Sequence, residues 1–313
     1  MKSILVIISI LVNLNFSCAQ NNKPTPDLEN VKYGLHDRNV FDIWFADKSK
    51  ITPLAIYIHG GGFKEGNKER IKANELEELL ESGISVASIN YRLLSNAPLP
   101  AAHLDAKLAL QFIRSKSSEW KIDKNKIGLF GGSAGSQICM WLAFSNDMAN
   151  LDSLNPIEHE STRVTCVAPI GGQTTMNKEF WERLATKHLK NEEGSNYTEK
   201  IFGDTSRRNR IRMKMYGSKT IEEADKIADD LSALSLISAD DPPIFLSYFM
   251  NPNAKAPINI KKVRGWLVHH VDFGIALKQK MDELNIEADL KYPGSKTKFN
   301  SLVEFFADKL LKN

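Results

Sequence analysis

Cysteine, surplus charge and long apolar runs are all scarce in this sequence. Three cysteines in 313 residues exclude a disulfide framework as the source of stability. A net charge of +3, spread along the chain, provides no basic patch for binding nucleic acid. No apolar run reaches the roughly 20 residues of a membrane-spanning helix, and no Walker-type or dinucleotide fingerprint occurs. The apolar fraction of 42% instead predicts a globular protein with a large core.

The first twenty residues have the pattern of a secretory leader. A lysine precedes the apolar run Ile4–Leu14, and small residues follow it. Two processing routes remain open. Cys18 could become the lipidated first residue of a lipoprotein, or a signal peptidase could cleave near Ala19. We therefore predict a signal peptide at 1–19, a polar tether at 20–34, and export to the periplasm, the outer membrane or the medium.

Strands and helices alternate through residues 35–313, which we predict to form one domain. Apolar runs predict strands over residues 39–45, 54–58, 84–90, 126–130, 163–170, 244–249 and 287–292. Helical periodicity appears over residues 68–81, 101–114, 134–144, 273–284 and 301–310. This order predicts an α/β fold with a mostly parallel sheet of about eight strands and helices on both faces. Residues 176–235 contain helical segments and no strand, which predicts a helical lid insertion over the sheet's carboxyl edge.

Two glycine-rich turns carry the chemistry. Gly131-Gly132-Ser133-Ala134-Gly135 follows a strand and opens a helix, a context in which a sharp turn lifts the serine Oγ above the sheet. His59-Gly60-Gly61-Gly62-Phe63 follows an earlier strand. Its glycines leave backbone N–H groups of Gly61 and Gly62 unobstructed, so that with the Ala134 N–H they predict an oxyanion hole. We expect His59 to brace this loop and not to act as a base.

These residues resemble the α/β-hydrolase superfamily, in particular its carboxylesterase branch related to hormone-sensitive lipase and to bacterial feruloyl and acetyl-xylan esterases. The segments that carry the resemblance are Tyr57–Phe63, Asn90-Tyr91-Arg92-Leu93, Pro100–Arg114 with Asp105, Ile127–Gly135 and Ser238–Pro243. The resemblance spans roughly residues 35–311. It implies an α/β-hydrolase fold and Ser133 as the nucleophile of ester hydrolysis, with no cofactor.

The acid and the base of such a triad are missing from their usual places. The resemblance puts the acid after strand 244–249, where no carboxylate occurs before Asp272, and the histidine after Tyr292, where Thr297 occupies the slot. A triad is defined by geometry and not by sequence position. We therefore predict His270 as a tentative base, with His269 as the alternative and Asp272 as the tentative orienting acid.

The other acidic residues and the two histidines also have structural interpretations. Asp240 and Asp241 are the other possible orienting acids, although their place at a strand entry is typical of turn residues. In the non-catalytic alternative, His269 and His270 cap a helix and pack under the lid. We expect no metal site, because neighbouring histidines on a helix cannot both face one ion. Cys139 and Cys166 are predicted to be buried free thiols.

Two functions from different classes follow. The first is an exported serine hydrolase that cleaves carboxylic esters, such as acetyl or feruloyl groups on a polysaccharide, through an acyl-serine intermediate. The second is a catalytically impaired protein of the same fold that binds a ligand or glycan. A peptidase of the prolyl-oligopeptidase type is a third option, which the His-Gly-Gly-Gly turn disfavours. A small-molecule or carbohydrate ester is the expected partner, with a lipid anchor at Cys18 if that residue is processed; the sequence leaves the oligomeric state open.

Overall fold

The computed structural model describes residues 23–189 and 203–312. The leader predicted at 1–19, including Cys18, lies outside the described residues. Within the described ranges, every helix is too short or too polar to cross a bilayer.

Eight strands form a single sheet whose order is β1-β2-β4-β3-β5-β6-β7-β8. The six strands β3 to β8 pair in parallel, whereas β1 and β2 are antiparallel to their neighbours. This confirms the predicted α/β fold with a mostly parallel sheet. The strands are β1 Leu28–Lys32, β2 Val40–Trp44, β3 Thr52–Ile58, β4 Ser85–Ile89, β5 Ile122–Gly132, β6 Cys166–Ile170, β7 Ile244–Ser247 and β8 Ala288–Lys291.

The edge strand β1 corrects the predicted tether. Residues 28–32, assigned to the polar tether at 20–34, pair with β2, and a register shift interrupts the ladder between Leu28 and Val31. The chain before β1 is also fixed to the sheet, because the Trp44 Nε1–H donates to the Pro24 carbonyl at 2.8 Å. The folded domain therefore begins before residue 35.

Helices cover both faces of the sheet, as predicted. One apolar cluster packs helices α2, α4 and α10 against one face, and a second packs α1 and α11 against the other. Cys139 on α4 and Cys166 on β6 are buried free thiols, which confirms that prediction. The helices of the central fold are α1 Ala73–Glu81, α2 Ala101–Ser115, α3 Ser117–Trp120, α4 Ala134–Phe144, α9 Ile260–Val268, α10 Asp272–Glu283 and α11 Leu302–Phe306.

The described part of the insertion between β6 and β7 is helical. It contains α5 Lys178–Leu189, α6 Thr205–Tyr216, α7 Ile221–Asp230 and α8 Ala233–Leu236. It contacts segments that follow the carboxyl ends of strands: the Met215 carbonyl accepts from the Leu99 N–H at 2.9 Å, and the Leu231 carbonyl accepts from the Gln137 side chain at 2.5 Å. The insertion therefore lies beside the end of the sheet that carries the glycine turns.

Two helical segments differ from the predictions. The helix predicted at 68–81 starts as a 3₁₀ turn, Lys68–Arg70, and α1 begins only at Ala73. The backbone is extended at Ile71 and Lys72, with ψ of 133° and 137°, which separates the two segments. The Lys68 ammonium is buried and donates to Asp42 Oδ2 at 2.7 Å, which holds the 3₁₀ turn against β2. Helix α9 was not predicted from the sequence, because three cationic side chains and Gly265 interrupt the apolar periodicity of this segment.

Candidate active site

Ser133 lies at a strained turn between β5 and α4. Its backbone has φ 54° and ψ −116°, a left-handed conformation that side chains rarely adopt, and its N–H donates to the Ile170 carbonyl at 2.9 Å. The next glycine explains how the turn fits. A Cβ on Gly135 would lie 1.9 Å from the Ile58 carbonyl oxygen, so only glycine allows α4 to start so close to β3. Strain of this kind at the end of a central strand is typical of a functional position.

The glycine loop after β3 passes directly beside Ser133. A Cβ added to Gly60 would lie 2.6 Å from the Gly132 carbonyl oxygen and 3.4 Å from Ser133 Cβ. Gly61 and Gly62 follow with φ of 122° and 60°, so the loop depends on glycine conformations. Ala134 is the first residue of α4, and its N–H has no acceptor within the helix.

His59 supports this loop from below. Its Nδ1–H donates to the Gly60 carbonyl at 2.8 Å, and its Nε2 accepts from Arg38 at 3.3 Å. The ring stacks on Tyr91 with centroids 4.2 Å apart. Burial lowers the pKa of His59 to about 4, so the imidazole is neutral at pH 7 with both nitrogens engaged. These contacts fit the predicted bracing role.

Ser133 opens into a cavity of about 470 Å³. Its walls combine backbone from the two glycine turns with aromatic, cationic and imidazole side chains. The lining residues are Tyr57, Gly60, Gly61, Arg70, Gly132, Ser133, Ile170, Gly171, Phe249, Met250 and His269. Of the predicted oxyanion residues, Gly61 lines the cavity directly, and Gly62 and Ala134 adjoin lining residues in the chain. Arg70 and Phe249 were not predicted from the sequence, because nothing in their local pattern points to a site.

His269 shares this cavity with Ser133. Its Nδ1 lies 2.8 Å from the Gly171 carbonyl oxygen. A carbonyl can only accept, so Nδ1 carries the proton and the lone pair of the neutral ring is on Nε2. Gly171 directly follows β6, has φ 58°, and donates its N–H to the Ser247 carbonyl at 2.7 Å. The sheet therefore fixes the carbonyl that orients His269.

His270 faces a different cluster. Its side chain is fully buried and its Nδ1 lies 3.5 Å from Asp272 Oδ1, while His188 Nε2 donates to Asp272 Oδ2 at 2.8 Å. Burial opposes ionisation of Asp272, but its contacts with His270, His188 and Lys187 outweigh this and hold its pKa well below the usual range. The structure thus brings the predicted base His270 and acid Asp272 together, and neither residue lines the Ser133 cavity.

Asp240, Asp241 and Thr297 do not line the Ser133 cavity either. Arg163 pairs with Asp240 and Asp241 at 3.1 and 3.0 Å, at the entry to β7. Thr297, in the slot that the resemblance gives to the histidine, donates its hydroxyl to the Phe299 carbonyl at 2.8 Å. Among the residues that the structure describes, no carboxylate lines the cavity. The only hydrogen-bond acceptor shown for the imidazole of His269 is therefore a backbone carbonyl.

A serine at a left-handed turn between strand and helix, next to a glycine loop on a mostly parallel sheet, is the arrangement of an α/β-hydrolase fold. The fold is shared with solved structures. A truncated carbohydrate esterase from gut microbiota superposes with a TM-score of 0.66 at 20% identity, over 94% of this chain and 99% of that one. An acetyl ester-xyloside bifunctional hydrolase from Caldicellulosiruptor lactoaceticus gives a TM-score of 0.56 at 19% identity, over 86% and 85%.

The chain belongs to the BD-FAE family, whose family model matches residues 41–251. Two of its curated relatives are ester hydrolases by name. The probable carboxylic ester hydrolase LipM of Mycobacterium tuberculosis is 31% identical over 147 residues, which are 45% of this chain and 33% of LipM. Esterase LipQ of the same organism is 28% identical over 52% of this chain and 39% of LipQ. The match thus spans only about a third of the length of these relatives.

Proposed function

We propose that this protein is a serine hydrolase that cleaves carboxylic esters. The observation that carries the proposal is the shared cavity: Ser133 at its strained turn, the Gly60–Gly61 backbone and His269 all line it. Ser133 is the nucleophile. The N–H groups of Gly61, Gly62 and Ala134 form the oxyanion hole.

His269 is the base in this proposal, and His270 is the alternative. His269 lines the cavity with a lone pair on Nε2, whereas His270 is enclosed among other side chains. During acylation, Ser133 Oγ attacks the ester carbonyl carbon and its proton passes to His269 Nε2. The imidazolium then protonates the leaving alcohol. Water, deprotonated by the same nitrogen, hydrolyses the acyl-serine and regenerates the hydroxyl.

The Gly171 carbonyl takes the orienting role that an acid has in other triads. It holds the Nδ1–H tautomer, which keeps Nε2 available to accept the Ser133 proton. A peptide carbonyl carries only a partial charge, so it stabilises the imidazolium less than a carboxylate does. We therefore expect an active but slow enzyme.

The test is hydrolysis of p-nitrophenyl acetate combined with fluorophosphonate labelling read by intact mass. The wild-type chain should be labelled once, and Ser133→Ala should abolish both labelling and turnover. Ser136→Ala is a matched control, because that hydroxyl is buried and donates to a backbone carbonyl, that of Gly131 or of Ile170. Turnover that persists in Ser133→Ala contradicts the proposal.

A non-catalytic binder is the second candidate, and the absence of a carboxylate among the described lining residues of the cavity favours it. In that case the chain binds esters or glycans without turnover, and binding survives Ser133→Ala. Isothermal titration with acetylated xylo-oligosaccharides distinguishes the two functions, because only the enzyme releases acetate.

The substrate we propose is an acetyl or feruloyl ester on a polysaccharide. Two observations support it: structural neighbours are named as carbohydrate and acetyl ester hydrolases, and the cavity wall contains Tyr57 and Phe249, whose rings can stack on a sugar or aryl group. The helices of the insertion would act as a lid over this cavity. We also propose that the protein is exported, either anchored by a lipid at Cys18 or released after cleavage near Ala19.

A further inference from the structure

A second group of polar side chains lies under the insertion, separate from the Ser133 cavity. His188 comes from the last turn of α5, Asp272 is the first residue of α10, and His270 lies two residues before it. One potential ligand atom from each residue lies within 4.8 Å of the other two. The two imidazole rings are 4.1 Å apart at their centroids. More than eighty residues of sequence separate His188 from the other two, so only the fold brings them together.

Two atoms of this cluster are buried without a hydrogen-bond partner. They are Nε2 of the fully buried His270 and Oδ1 of Asp272. Buried polar atoms in native proteins nearly always have a partner, so each of these two atoms is open to an ion or a water. The Trp266 ring packs edge-on against His270 at 4.8 Å, which restricts access to water on that side.

The donor set identifies the class of ion. Two imidazole nitrogens and one carboxylate oxygen are ligands that zinc takes in three-residue sites, whereas magnesium and calcium prefer oxygen alone. Zinc–ligand distances of about 2.0–2.1 Å place tetrahedral ligand atoms roughly 3.3 Å apart. His188 Nε2 lies 2.8 Å from Asp272 Oδ2 and His270 Nδ1 lies 3.5 Å from Asp272 Oδ1, so both rings approach this carboxylate at close to that spacing.

One neighbouring cation competes for the same carboxylate. Lys187 Nζ lies 2.7 Å from Asp272 Oδ2, and its side chain is 61% exposed. An exposed ammonium on a flexible stem can return to solvent at little cost, since surface ion pairs are weak. The imidazole of His270 is buried and cannot move into solvent in this way. The cluster therefore keeps its nitrogen donors when the Lys187 side chain moves away from Asp272.

We propose that His188, His270 and Asp272 bind one divalent transition-metal ion of the zinc type. The ion would fasten α5 of the insertion to the start of α10, next to the base proposed at 269. It adds a metal site to a chain for which the sequence predicts none. That prediction considered only the neighbouring histidines 269 and 270, whereas the second imidazole comes from the insertion. The inference does not depend on the proposed hydrolase function.

The experiment uses the untagged chain after treatment with EDTA and gel filtration. Zinc titration followed by calorimetry should give one ion per chain, and cobalt should give the intense visible absorption of a tetrahedral site. At a free zinc concentration 100 times the dissociation constant, the melting temperature should rise by about 5 °C, and EDTA should reverse the rise.

His188→Gln and His270→Gln should each weaken zinc binding at least tenfold, given that even outer partners of zinc ligands contribute 10–100-fold. His159→Gln is the matched control, because that histidine is exposed and bonds only to the Ser153 carbonyl. The His188 side chain is 11% exposed whereas that of His270 is fully buried, so the His188 variant remains informative if His270→Gln fails to fold. The proposal is overturned if zinc does not bind stoichiometrically, or if binding is equally tight in His188→Gln.

Discussion

His269→Gln should remove most of the catalytic power while leaving the fold intact. General-base catalysis contributes about 10²–10⁴-fold to such reactions. The Gly171 carbonyl holds His269 in the correct tautomer but carries no full negative charge. We therefore expect the loss of activity in His269→Gln to lie near the middle of that range. A loss of about 10³-fold in kcat/KM corresponds to roughly 4 kcal/mol of transition-state stabilisation. His269 is at the cavity wall and only partly buried, so the change in melting temperature should be small.

The assay compares two esters of the same acid. p-Nitrophenyl acetate has a leaving group that departs without protonation, whereas an alkyl acetate needs a proton from the imidazolium. The loss in His269→Gln should therefore be larger for the alkyl ester. Imidazole added to His269→Ala should restore part of the activity, because the substitution leaves room for it in the cavity.

His270→Gln is the matched control for this prediction. Its side chain does not line the Ser133 cavity, so kcat/KM should change by less than about tenfold, the effect of a small positional shift at most. The reasoning is refuted if His270→Gln loses about 10³-fold while His269→Gln keeps the wild-type rate. That result would restore His270 as the base and require the start of α10 to rearrange in solution.

Three further perturbations test the surroundings of the site. Gly60→Ala should lower kcat about 10–100-fold, because the added Cβ would lie 2.6 Å from the Gly132 carbonyl oxygen and displace the oxyanion loop. The loss is measured by p-nitrophenyl acetate kinetics, and an unchanged kcat contradicts the prediction. Burial lowers the pKa of His103 from 6.5 to about 4. Between these two pH values the unfolded chain binds a proton at this histidine and the native chain does not. The free energy of unfolding should therefore fall by roughly 3 kcal/mol as the pH drops from 6.5 to 4. Urea unfolding from pH 7 to 4 should show a weaker pH dependence in His103→Gln. Lys68→Met should lower the free energy of unfolding by about 3–5 kcal/mol, because it leaves the buried Asp42 carboxylate without its cation. Adding Asp42→Leu to this variant should recover much of the lost stability.

The central fold is readable from the sequence because its signals are local. Strands β3 and β4 are buried on both faces, so apolar residues occupy consecutive positions in both of them. The glycines around Ser133 mark a turn that other residues cannot make. The edge strand β1 gives a weak signal. Asn30 within it adopts φ 53°, and the register shift there disrupts the alternation of side chains.

The surroundings of the base are not readable in the same way. The partner of His269 is the carbonyl of Gly171, 98 residues away. Every residue has a backbone carbonyl, so the sequence does not show which one accepts this hydrogen bond. His188 reaches Asp272 only because the fold places the end of α5 beside the start of α10. The sequence could therefore locate the pair at 269 and 270 but could not decide which of the two faces Ser133.

The contact between Pro24 and Trp44 sets a limit on how far the protein can reach from a membrane. The chain is fixed to the sheet edge at residue 24. If Cys18 carries the lipid, six residues separate the anchor from the domain, and at about 3.3–3.6 Å per residue they extend no further than roughly 20 Å. An anchored form would sit against the lipid headgroups with β1 nearest the membrane. It would act on polymers that come to the cell surface, whereas the cleaved form would diffuse to them.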